Sequence, residues 1–167
     1  KKTIYQHFDN KTTLVEAVSL HVFNTISCGI NDICSTKKDP IEEIFDIKQF
    51  VMEHLKDEKS SPQYQLQKYY PKIFNTLKKK QFDVMQQCVK DNLLRGVEIG
   101  LYRPSINIEF ISRIYFNSMV ALKDKELFPL NHFSVNTLMV YFLEYHLRGI
   151  CTEKGLLTLN KFIKNQS

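Results

Sequence analysis

Apolar residues return every three or four positions along almost the whole of this chain, and the interruptions fall at Pro40, Pro62, Pro71 and Gly100–Pro104. A repeat near 3.6 residues is that of a helix with one buried face, whereas a strand needs alternation, which the sequence does not show. Leu14, Ala17, Val18, Val22, Ile26, Ile30 and Ile33 form the first stripe, led by Asn10 as an N-cap and ending near Ser35. Asp39-Pro40 starts a second helix through Ile41, Ile44, Phe45, Val51, Met52 and Leu55, because proline is preset for a first helical turn. After the charged run Lys56–Lys59, Pro62 restarts a helix that Pro71 breaks or kinks. From Lys72 a long stripe (Ile73, Phe74, Leu77, Phe82, Met85, Val89, Leu93, Val97) runs to Gly100, which suits a left-handed cap. Further helices are expected over about 108–123, 134–149 and 153–164. The expected fold is all-α, without internal repeats.

With 43% hydrophobic and 25% charged residues, the chain reads as one soluble globular domain or a domain plus a fragment of another. No continuous apolar run approaches a membrane span and no leader pattern is present, so a cytoplasmic protein without a membrane partner is expected. Cys28, Cys34, Cys88 and Cys151 contain no C-x-x-C pair, which predicts reduced, mostly buried, unpaired thiols. The histidines are scattered at 7, 21, 54, 132 and 146, and neither a phosphate-binding glycine loop nor a metal-ligand spacing occurs. An enzyme is therefore not expected, and neither is a cofactor or metal. His146, Glu144 and Cys151 are close in sequence, but that alone is no catalytic site. The net charge of +5 permits a polyanionic partner without requiring one.

The opening stretch, KKTIYQHFDNKTTLVEAV, reads as a short basic-aromatic helix to Phe8, a turn at Asp9-Asn10 and the start of the long helix at Lys11. Ile4 and Phe8 share one face. The others, Lys1, Lys2, Thr3, Tyr5, Gln6 and His7, supply the amide, hydroxyl and cationic groups that reach phosphates and base edges. A short helix anchored by an aromatic to the next helix is how a helix-turn-helix presents its recognition helix.

This segment resembles the end of the helix-turn-helix in TetR/AcrR-type transcriptional repressors: Thr3, Ile4, Tyr5, His7, Phe8, Lys11 and Leu14 all match that pattern. VEIGLYRPSINIEFISR, at 97–113, more weakly resembles a junction between two ligand-domain helices of the same family. The resemblance implies that residues 1–12 end a DNA-binding domain whose first two helices should precede Lys1, and that residues 13–167 form a ligand-binding and dimerisation domain. Tyr5, His7 and Lys11 would contact phosphates, Thr3 and Gln6 base edges, and Lys2 either. The implied partners are a DNA operator for the full-length protein, an unidentified small-molecule effector and a second copy of the chain.

Pockets between helices are mostly apolar, so Phe45, Met52, Tyr70, Phe74, Met85, Val89, Tyr115 and Met119 are candidate pocket residues, though the same spacing suits plain core. Glu98, Glu109 or Glu144 could add charge to such a pocket. The stretch 134–149 is apolar around most of its circumference, which suits either a central core helix or a subunit interface. Phe116, Val120, Leu138, Tyr141, Phe142 and Tyr145 are the candidate dimer residues. The function expected is a ligand-responsive repressor that releases its operator when a small molecule binds. The alternative is a helical module that binds a small molecule or protein without regulating DNA.

Overall fold

The computed structural model describes residues 7–54, 62–124, 126–129 and 131–166. Its helices are α1 (Lys11–Ser35), α2 (Pro40–His54), α3 (Pro62–Tyr69), α4 (Pro71–Glu98), α5 (Ile108–Ala121), α6 (Val135–Ile150) and α7 (Glu153–Gln166), with no strand among the described residues. The all-α expectation holds, and the helix limits fall close to where Asn10, Pro40, Pro62, Pro71 and Gly100 place them.

Local chemistry explains these limits. Asn10 caps α1 reciprocally with Thr13: its Oδ1 accepts from the Thr13 amide at 3.0 Å, and its own amide donates to Thr13 Oγ1 at 3.3 Å. Past the other end, Lys37 takes the left-handed conformation (φ 49°), and its amide donates to the Cys34 carbonyl at 3.3 Å. Asp39 then caps α2, accepting from the Ile41 and Glu42 amides at 2.8 and 3.3 Å. Pro71 does not kink a helix; it opens α4, since its missing N–H has no partner to lose there. At the end of α4, Gly100 sits at φ 74°, and the Leu101 and Tyr102 amides both donate to the Gly96 carbonyl.

The core gathers Ile41, Ile44 and Phe45 of α2, Leu93 of α4, Tyr115 and Met119 of α5, Leu138, Met139, Leu143 and Leu147 of α6, and Leu159 of α7. Two links cross it. Tyr102 pairs with Cys151 in an isolated antiparallel bridge, with Arg103 N–H to the Ile150 carbonyl and Thr152 N–H to the Leu101 carbonyl, both at 2.9 Å. A buried polar network joins α2 to α4. Asn92 Nδ2 donates to the Pro40 carbonyl at 2.9 Å and to Glu43 Oε1 at 2.8 Å, Tyr102 Oη donates to Asn92 Oδ1 at 3.1 Å, and Arg95 donates to Glu43 Oε2 at 2.5 Å and to the Lys38 carbonyl at 2.9 Å.

α1 is attached differently. It packs on α2 and α4, yet none of its residues is fully buried, and Val18 and Val22 are exposed. Its close approach to α2 is at Gly29, where a Cβ would fall 2.0 Å from Phe50 Cζ. Only a residue without a side chain lets the ring lie against the α1 backbone there. α1 is long and apolar enough on average to cross a membrane, by length and composition alone. In this fold its half-buried residues pack on α2 and α4, while Val18 and Val22 stay exposed.

Candidate functional site

The N-terminal candidates divide. Lys2, Thr3, Tyr5 and Gln6 lie outside the described residues. His7 and Lys11 are exposed, His7 in the turn before α1 and Lys11 as its first residue. Lys11 therefore stands at the N-terminal end of a 25-residue helix, the positive end of its dipole.

Within the bundle, α2, α6 and α7 border a half-open cleft of about 500 Å³ lined by Phe45, Asp46, Lys48, Gln49, Asn136, Val140 and Ile163. Phe45 stacks on Phe162 at 4.8 Å, and burial pulls the Lys48 ammonium below its usual pKa. Of the expected pocket residues, Phe45 lines this cleft and the others do not. Tyr115 and Met119 are core, Met52, Met85 and Val89 are packed against the core, and Tyr70 and Phe74 are half-buried elsewhere. Their helical spacing is equally that of a core stripe, so periodicity could not separate the two roles.

A polar group that the sequence reading passed over stands out inside. Gln86 of α4 is buried, and neither its Nε2 nor its Oε1 has a hydrogen-bond partner. It falls in the stripe Phe82–Gln86–Val89–Leu93, and the Phe82 ring meets Phe116 of α5 edge-on at 5.1 Å. An amide in an otherwise apolar stripe was the available signal. Between α5 and α6, His146 is buried beside Tyr115 and Phe142, at ring distances of 5.1 and 5.6 Å. Burial lowers the His146 pKa to about 4, so it is a neutral imidazole. Burial likewise pushes the Tyr115 phenol up.

The acids considered for the pocket are turned elsewhere. Glu109 pairs with Lys90 and Arg113, Glu144 pairs with Arg148 at 2.7 Å, and Glu98 is exposed. Glu144 is therefore not joined to His146 and Cys151. The buried acid is Glu43, which is 1% exposed and held by Asn92 and Arg95. No group of three or more metal-ligating side chains occurs among the described residues.

The candidate dimer residues also divide. Phe116 and Leu138 are buried in the chain's own core, Val120 is half-buried, and Phe142 is half-buried against Tyr115 and His146. A side chain already enclosed by its own subunit has little surface left for a partner. Tyr141 and Tyr145 remain open, 62% and 77% exposed, and so do Phe110 and Ile114 on α5. Phe110 and Ile114 were not among the residues expected at a partner, although they lie on the same helix as Phe116 and Val120, which were.

No protein-family model matches the chain, and no curated protein matches it. Among solved structures it is similar to a ketosteroid transcriptional regulator, KstR2, of Mycobacterium tuberculosis. The TM-score is 0.64 at 16% identity, over 91% of this chain and 79% of that one. The fold is TetR-like. At this identity the likeness carries the arrangement of helices alone.

Proposed function

We propose that the chain belongs to a homodimeric, ligand-responsive transcriptional repressor of the cytoplasm. In the full-length protein, preceded by the first helices of its DNA-binding domain, residues 1–12 complete that domain. A small molecule bound within residues 13–167 then favours a conformer that releases the operator. The observation that carries this reading is the position of α1. It begins, capped by Asn10, directly after the Thr3–Phe8 motif, and its other end lies on α2 and α4. One continuous helix thus joins the segment expected on DNA to the bundle expected to bind the effector. The coupling needs only that the effector bind one α1 arrangement better than the other.

Gln86 supports an internal effector site. A buried amide with neither donor nor acceptor satisfied costs about 1–3 kcal/mol, which a ligand group able both to accept and to donate would recover. Phe82, one turn before Gln86 on α4, and Phe116, which Phe82 meets edge-on, suit an otherwise apolar molecule. Phe110, Ile114, Tyr141 and Tyr145 support pairing through a two-fold axis, since one patch then serves both subunits.

The test is titration of the full-length protein against operator DNA across salt concentrations. Lys11→Ala should weaken binding to all sequences alike and flatten the salt slope by about one ion, while Gln6→Ala should alter sequence preference. Unchanged affinity and slope in Lys11→Ala would instead favour a binding module that does not regulate DNA.

A further inference from the structure

Two thiols take no part in anything described so far. Cys34 lies in the last turn of α1 and Cys88 in α4, both half-buried and neither in a disulfide. Only Cys151 meets the expectation of a buried thiol; Cys28 is exposed. The α1–α4 contact brings the Cys34 and Cys88 side chains together from two different helices. Both line a cleft of about 340 Å³, open to solvent, whose other walls are Lys37, Glu43, Asp91, Leu94 and Arg95.

The two sulfurs are not equivalent. The Cys34 thiol is held below its ordinary pKa, first by the hydrogen bond from Cys88 and further by Arg95, against burial and the charges of Glu43 and Asp91. Cys88 is pushed up, chiefly because it is the donor to Cys34 and then by burial. One sulfur is therefore favoured as the nucleophile and the other as the proton-bearing partner beside it. The other two cysteines serve as internal comparisons. Cys151 is buried, its thiol raised to about 11 by that burial, and Cys28 stands alone on the surface of α1.

We propose that Cys34 and Cys88 are an oxidisable dithiol, reactive toward hydroperoxides, whose disulfide ties α1 covalently to α4. The Cys34 thiolate attacks one peroxide oxygen, the O–O bond breaks, and the leaving oxygen takes up a proton as water or alcohol. Cys34 is left as a sulfenic acid. The Cys88 sulfur, giving up its proton, attacks the Cys34 sulfur; the S–S bond forms, the S–O bond breaks, and the hydroxyl leaves as water. Two thiols and one hydroperoxide yield one disulfide, one water, and a second water or an alcohol, the sulfurs losing the two electrons that the peroxide gains. A thiol or dithiol reductant reverses the step by exchange.

The experiment treats the whole chain with a modest excess of hydrogen peroxide, blocks remaining thiols with an alkylating agent, and maps the peptides without reduction. The expected product is a Cys34–Cys88 cross-linked peptide, with Cys28 and Cys151 still alkylated and both lost thiols recovered by dithiothreitol. Cys88→Ser should instead trap Cys34 as a sulfenic acid that reacts with dimedone, and Cys34→Ser should abolish both products. Oxidation at Cys28 before Cys34, or Cys34 consumed in the wild type without a bond to Cys88, would overturn the proposal. The mapping contains no DNA, so its failure is distinct from any failure of the repressor reading.

Discussion

Asn92 and Glu43, 49 residues apart in sequence, meet inside the bundle, where the Asn92 side chain donates to the Glu43 carboxylate at 2.8 Å. The carboxylate's other oxygen receives Arg95 at 2.5 Å, and the Tyr102 hydroxyl completes Asn92 at 3.1 Å. α2, the end of α4 and the turn after it are thus held by one polar cluster within apolar surroundings.

Removing the cation from this cluster should be costly. Arg95→Ala leaves a carboxylate that is 1% exposed without its charge partner, and it should destabilise the chain by about 3–5 kcal/mol. Glu43→Gln with Arg95→Met should lose much less than the two single changes added together. Urea denaturation of the four proteins forms the double-mutant cycle that checks this, and additive losses would show that the pair is not coupled.

Stability should fall on mild acidification through His146. Its pKa is lowered from 6.5 to about 4 in the folded chain, so between those values the unfolded chain binds a proton that the folded chain refuses. The stabilisation is full above about pH 6.5 and is lost as the pH falls toward 4, by roughly 3 kcal/mol. His146→Phe should flatten this part of the stability–pH curve, measured by denaturation at a series of pH values.

Gln86→Leu should raise the stability of the ligand-free chain by about 1–3 kcal/mol, because it removes two buried polar atoms that have no partner. If Gln86 recognises the effector, the same change should reduce the thermal shift that effectors produce. A screen of apolar acids, amides and hydroxylated ring compounds against both proteins measures the two effects together. Destabilisation of the ligand-free variant would mean that the amide is satisfied.

Association should depend on Tyr145 without the fold depending on it. The side chain is 77% exposed in the single chain, so Tyr145→Glu should leave helicity and monomer unfolding unchanged. At a paired α5–α6 face, however, the buried charge should weaken dimerisation by several kcal/mol. Sedimentation equilibrium at micromolar concentration compares it with the wild type and with Lys72→Glu on the exposed flank of α4. Tyr141→Glu should behave like Tyr145→Glu, whereas Phe116→Glu should unfold the chain, since Phe116 is core.

Helix limits were legible because their causes are local. Asn10 caps within three residues, Pro40 and Pro71 each open a helix, and Gly100 takes a positive φ that other residues avoid. The site was less legible because its causes are not local. Glu43 looks like a surface residue of α2 until Asn92 and Arg95 arrive from α4, and Cys34 looks isolated until α4 supplies Cys88. Met and aromatic residues on helical stripes gave no means of telling a lining residue from a filler. Phe45 lines a cleft and Met119 fills the core, with the same spacing around each.

The contact of Gly29 with the Phe50 ring gives α1 the proportions of a lever with its fulcrum far from the working end. At about 1.5 Å of rise per residue, Lys11 stands roughly 27 Å from Gly29. A rotation of about 5° at the fulcrum sweeps Lys11 through roughly 2 Å. Hydrogen bonds to phosphate tolerate only about 0.5 Å of stretch, so if Lys11 meets a phosphate as proposed, an adjustment that small at Phe50 would be large enough to break that contact. On the proposed function, the close approach that Gly29 permits would set where the helix pivots, and its distance from Lys11 would set the gain.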